Sequence, residues 1–147
     1  MRRSKSITRV FLLDTNVFIS AIKEPRRQTG TLSLILHIIE EPSIGLVGNA
    51  LLAEEMTRYA ELLKSETAAT LLHALIAKMK IVKVQENYLK ICKTYIETPD
   101  KADILHAATC LQANVTLISN DHHFNRIRDE AIIKVWNITE AIKKLLK

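Results

Sequence analysis

Four acidic positions in this chain of 147 residues stand where chemistry is possible. Asp14 directly follows the apolar run Val10-Phe11-Leu12-Leu13, and Asp121 follows Thr116-Leu117-Ile118-Ser119-Asn120. Each ends a strand-like segment, so each is either a turn or helix-capping residue or a carboxylate facing a crevice. Asp103 lies in Asp100-Lys101-Ala102-Asp103. There Asp100 is the expected N-cap, and a negative charge at Asp103 suits the helix dipole. Asp103 also borders the apolar stripe Ile104, Ala107, Ala108 and Leu111, at the rim of the core. On a helical wheel Glu55 flanks Leu52, Met56 and Tyr59 and looks along the core edge, whereas Glu54 points to solvent. Carboxylates gathered in one pocket repel one another unless a hard divalent cation, Mg²⁺ or Mn²⁺, neutralises them. Such an ion activates water and stabilises the charge of phosphodiester hydrolysis, or it templates a phosphate.

The elements that must position these acids are legible from periodicity. Ile7 to Leu13 is apolar or β-branched on most residues, as in a strand buried on both faces. Further strands are expected at Ile44–Val47, Ile81–Val84, Val115–Ser119 and Ala131–Val135. Helices are expected over Val17–Ile22, Thr31–Glu40 with Thr31 as its cap, Asn49–Leu63, Ser65–Met79, Glu86–Glu97, Asp100–Gln112 and Ile138–Leu146. Strands alternating with helices predict an α/β fold, three layers with a mainly parallel central sheet, as one domain over residues 1–147. In such sheets ligands sit beyond the carboxyl ends of the strands, which is where Asp14 and Asp121 fall.

Composition narrows the class. With 48% hydrophobic and 25% charged residues the chain is globular, and 3 Gly and 3 Pro are too few for a sandwich of tight turns. The net charge of +5 suits a polyanionic partner without requiring one. Cys92 and Cys110 fall in apolar helical patterns and read as buried free thiols, so an intracellular, cytoplasmic protein is expected. The basic N-terminus lacks the long apolar run and cleavage site of a signal peptide, and Leu32–Ile39 is too short to span a bilayer, so no membrane partner is expected.

Three segments carry a resemblance. Val10-Phe11-Leu12-Leu13-Asp14-Thr15-Asn16-Val17-Phe18 resembles the opening motif of PIN domains, small metal-dependent ribonucleases that include VapC-type toxins. Asp103-Ile104-Leu105-His106-Ala107-Ala108-Thr109-Cys110-Leu111 is similar to their second Asp motif. Thr116-Leu117-Ile118-Ser119-Asn120-Asp121-His122-His123-Phe124 is similar to their third, a strand ending in a Ser/Thr-x-Asp turn. Their order and spacing extend the likeness over essentially the whole chain. It implies a PIN-like fold and a nuclease acting on RNA. Asp14, Glu55, Asp103 and Asp121 would hold Mg²⁺ or Mn²⁺, supported by Thr15 or Asn16, Ser119 and Asn120. It also implies a homodimer and, for a toxin, an antitoxin protein partner.

The remaining candidates have quieter readings. His37 and His73 belong to helical runs, His106 lies one turn after Asp103 and could line the site, and His122-His123 reads as a turn at the site rim. Arg26, Arg27 and Lys101 are either a phosphate-binding flank or ordinary solvated charges. Against the ribonuclease reading stands a catalytically weak RNA-binding or assembly module with the same acidic pocket. A phosphotransferase with Asp14 as nucleophile is disfavoured, because its second Asp would fall at Asn16.

Overall fold

The computed structural model describes residues 6–23, 29–97 and 100–146. Its centre is β1 (Arg9–Leu13), whose Phe11, Leu12 and Leu13 are almost fully buried. Burial of each such side chain is worth about 2 kcal/mol. α1 (Thr15–Ile22) and α2 (Gly30–Glu40) lead to β2 (Ile44–Gly48), buried along its whole length. α3 (Ala50–Leu63) and α4 (Glu66–Lys78) lead to β3 (Met79–Ile81). α5 (Glu86–Tyr95) and α6 (Lys101–Ala113) carry the chain back to β4 (Thr116–Ile118). A 3-10 turn (His122–Phe124), α7 (Asn125–Asp129), β5 (Val135–Trp136) and α8 (Ile138–Leu145) follow.

The sheet order is β3-β2-β1-β4-β5, and every pairing is parallel. Right-handed crossovers then place α1 to α4 on one face and α5 to α7 on the other. In keeping with this, α2 and α4 pack on β2, α6 lies across β1, β2 and β4, and α8 closes against α2. The chain leaves β1 for β2 on one side, while β4 arrives on the other. A crevice therefore opens between the carboxyl ends of β1 and β4. The junction is tied by Asp14 N–H, which donates to Ile118 O at 3.1 Å.

Several boundaries differ from expectation, each for a tertiary or capping reason. The helix expected to run to Met79 stops at Lys78, and β3 begins at Met79 rather than Ile81. Met79, Lys80 and Ile81 pair with Leu46, Val47 and Gly48, and Gly48 has no Cβ to collide with the Met79 side chain. The cap of α2 is Thr29, whose hydroxyl accepts from Leu32 N–H at 3.2 Å, and not Thr31. α1 starts at Thr15, two residues early, and β1 at Arg9, two late. The strand expected at Ala131–Val135 is instead Val135–Trp136. Ala131 turns left-handed, and Ala131 N–H and Ile132 N–H bond back to Arg128 O and Ile127 O to end α7. Among the described residues no helix is long and apolar enough to cross a membrane.

Candidate metal centre at the strand ends

Asp14 stands at the N-cap position of α1, yet its side chain makes no capping hydrogen bond. It is 4% exposed, and its Oδ2 accepts from Ser119 Oγ at 2.7 Å. Asp14 thus caps through its backbone alone, its carbonyl accepting from Val17 N–H at 2.9 Å, while its carboxylate faces the crevice between β1 and β4. Ser119 Oγ also accepts from Asp121 N–H at 3.0 Å, so one hydroxyl joins the two strand ends. Asp121 does cap, with Oδ1 accepting from His123 N–H at 2.9 Å. Asp103, 7% exposed in the first turn of α6, lies 2.8 Å from His123 Nδ1 through its Oδ2. Asp100 caps that helix through Ala102 N–H.

Glu55 enters from α3, which turns it inward and leaves Glu54 exposed. Thr15 Oγ1 donates to Glu55 Oε1 at 3.1 Å, and His106 Nε2 lies 2.9 Å from the same oxygen. The proton on His106 is assigned by its neighbours. Asn49 caps α3 with Oδ1, which accepts from Leu52 N–H at 2.8 Å. Its Nδ2 therefore points to Thr109 Oγ1 at 3.0 Å and to His106 Nδ1 at 3.1 Å. An amide nitrogen only donates, so Nδ1 accepts, and the neutral ring carries its hydrogen on Nε2, facing Glu55. His106 is 1% exposed and lines the site as a clamp on a carboxylate.

The electrostatics are those of crowded acids. Burial pushes Asp14 above its ordinary 3.8; the Ser119 hydrogen bond opposes this, while Asp121 and Glu55 add repulsion. Burial likewise raises Asp103, opposed by the His123 hydrogen bond and reinforced by Asp121, Asp100 and Asp14. Glu55 moves the other way, lowered chiefly by its hydrogen bond from His106. His123 is raised by its bond to Asp103. Among the described residues no Lys or Arg forms an ion pair with any of the four acids. Arg58 acts on Glu55 only at longer range, and among the described residues His123 is the one cationic partner in contact, with Asp103. Buried and half-buried carboxylates so little neutralised by the protein are a donor set suited to a hard divalent ion. They are spaced around the crevice, as mutual repulsion requires, rather than closed on one point.

The supporting residues divide. Ser119 and Thr15 hold carboxylates, whereas Asn16 is exposed on α1. Asn120, expected beside the acids, instead accepts from Ile138 N–H at 2.8 Å and anchors α8. Lys101 is exposed at the start of α6, and Arg26 and Arg27 lie outside the described residues. Thr98 and Pro99, between the expected helices Glu86–Glu97 and Asp100–Gln112, also lie outside them. Asn49, Thr109 and the His123 contact were missed. Asn49 was visible only as a residue opening a helix, because its second set of partners comes from α6, 57 and 60 residues away. A cavity of about 960 Å³ lies elsewhere, lined in part by Arg9, Lys134, Trp136 and Lys144 toward the amino ends of the strands.

Comparison with known proteins agrees with this architecture. No curated protein matches in sequence. VapBC2 from Rickettsia felis, solved bound to a DNA fragment from their promoter, superposes with a TM-score of 0.61 at 16% identity, covering 87% of this chain and 98% of that one. VapBC-1 from nontypeable Haemophilus influenzae gives 0.60 at 22%, covering 88% and 98%. FitAcB from Neisseria gonorrhoeae gives 0.57 at 23%, also covering 88% and 98%. At these identities the likeness is one of fold. The sequence profile of the PIN domain, however, matches residues 11–130 and so spans the three Asp motifs and the helix that carries Glu55; the chain belongs to the PIN domain family.

Proposed function

We propose that this protein is a metal-dependent endoribonuclease that hydrolyses RNA phosphodiester bonds at the crevice between β1 and β4. The observation that carries the reading is the placement of Asp14, Glu55, Asp103 and Asp121 around that crevice with, among the described residues, no Lys or Arg in ion-pair contact with them. These four would hold Mg²⁺ or Mn²⁺, which when bound activates water and stabilises the charge that develops on the scissile phosphate. The protein's own part is to keep the oxygens aimed. The Ser119 hydroxyl fixes Asp14, and the Thr15 hydroxyl and the His106 Nε2–H fix Glu55. Single-stranded RNA or a loop suits such a site, because its backbone reaches a recessed crevice more readily than an A-form helix does.

The same reading makes the chain the toxin of a toxin–antitoxin pair, with an antitoxin protein as partner, working in the cytoplasm as a homodimer. Tyr59, Leu62 and Leu63, exposed at the end of α3, supply apolar surface for such a partner. The test is cleavage of a fluorogenic RNA with Mg²⁺ or Mn²⁺ and an EDTA control. Glu55→Gln is expected to abolish cleavage and Glu54→Gln to leave it, with all proteins folded by circular dichroism. RNA binding without cleavage under any metal would instead favour the weak binding module.

A further inference from the structure

Two imidazoles stand at the rim of the acidic site, His123 bonded to Asp103 and His122 open to solvent. His122 and His123 follow Asp121 in the 3-10 turn, their ring centroids 4.5 Å apart. His123 Nδ1 lies 3.3 Å from Asp121 Oδ1, and His122 Nδ1 lies 3.8 Å from the same oxygen. One ligand atom from each of the three residues falls within 4.8 Å of the others, and among the described residues no other set of three His, Cys, Asp or Glu does so. We infer that Asp121, His122 and His123 form a site for a borderline transition ion of the Zn²⁺ class, distinct in chemistry from the all-oxygen hard-cation set.

Tetrahedral zinc with bonds of about 2.1 Å sets neighbouring ligand atoms roughly 3.4 Å apart. The two spacings to Asp121 Oδ1, 3.3 and 3.8 Å, bracket that value, and with all three ligand atoms within 4.8 Å of one another, side-chain rotations close the set. Two imidazole nitrogens beside one carboxylate oxygen suit zinc, whereas Mg²⁺ demands oxygen. Access is open, since the His122 side chain is 82% exposed and that of His123 37%. Thiols do not compete, because Cys92 and Cys110 are both buried. Zinc on His123 Nδ1 displaces to solvent the proton that this nitrogen shares with Asp103 Oδ2 across 2.8 Å, and the fourth position goes to water or to the carboxylate oxygen so freed. An ion seated here takes Asp121 away from the proposed Mg²⁺ site, so zinc antagonises Mg²⁺-supported cleavage. That consequence, unlike the binding itself, rests on the nuclease reading.

The test is titration of the metal-free protein with Zn²⁺ by calorimetry, with Co²⁺ as a visible-absorption probe of tetrahedral nitrogen ligation. One ion per chain is expected. Binding should weaken at least about tenfold in His122→Ala and in His123→Ala, and persist in Asp14→Asn. Equal zinc affinity in wild type and both histidine variants, or loss in Asp14→Asn alone, would overturn the site. Where Mg²⁺ supports cleavage, the zinc concentration that halves each protein's own rate should rise at least about tenfold in His122→Ala. If no form cleaves RNA, the nuclease reading falls while the binding data still decide the zinc site.

Discussion

Asn49→Ala separates a helix cap from a side-chain clamp. The Asn49 side chain is buried and makes three hydrogen bonds, to Leu52 N–H at 2.8 Å, to Thr109 Oγ1 at 3.0 Å and to His106 Nδ1 at 3.1 Å. Losing the cap costs about 1 kcal/mol. Leaving His106 Nδ1 buried without a donor costs a further ~1–3 kcal/mol. Thr109 loses little, because its hydroxyl keeps its own bond to Leu105 O at 2.7 Å. The total is about 3 kcal/mol, or a fall in Tm of roughly 6–12 °C for a chain of this size. Asn49→Ser keeps a capping oxygen but does not reach α6, so it should lose only the second part, about 2 kcal/mol. It should also release His106 from its Nε2–H tautomer and so loosen Glu55. Urea unfolding followed by circular dichroism measures the losses, and ¹⁵N shifts of the imidazole report the tautomer. A double-mutant cycle between Asn49→Ser and His106→Ala should give a coupling near 1 kcal/mol. A loss in Asn49→Ala no larger than the cap alone, or a coupling below about 0.5 kcal/mol, would refute the clamp.

Asp14 and Asp103 have folded-state pKa values above the ordinary 3.8, so their ionised forms are disfavoured by folding. The metal-free protein should therefore lose stability from these two groups as pH rises from about 4 through their folded values, while Glu55 contributes the opposite slope. Asp14→Asn should flatten the profile and raise the metal-free Tm at neutral pH; an unchanged profile would show that Asp14 is not held against its charge. Mn²⁺ at about a hundred times its Kd should stabilise the wild type by roughly 2.7 kcal/mol. That gain should shrink in Asp14→Asn, and equal shifts in thermal melts would remove Asp14 from the ligand set. Burial pushes the Cys92 thiol up to about 11 and Cys110 higher still, so a thiol reagent should label neither in the native protein and both after unfolding. Fast labelling of either in the native state would contradict the packing beneath α5 and α6.

What the sequence determined by itself is local. Apolar runs with β-branched residues marked β1, β2 and β4, because a strand buried on both faces must be apolar on successive residues. Periodicity of 3.6 marked α3 and α6 and turned Glu55 inward and Glu54 outward, because orientation on a helix follows from spacing alone. Caps one turn away, such as Asp100, were legible for the same reason. The tertiary structure alone decided what depends on distant partners. The start of β3 at Met79 was set by pairing with Leu46, because backbone pairing outweighs the helical pattern of residues preceding it. Whether the Asp14 carboxylate capped α1 or faced the crevice was decided by Ser119, 105 residues away, whose hydroxyl supplies the bond that a buried carboxylate needs. His106 acquired its role from Asn49 and Glu55 on α3, and Asn120 left the acids for α8. Each of these outcomes is a competition between hydrogen-bond partners that meet only when the sheet has closed.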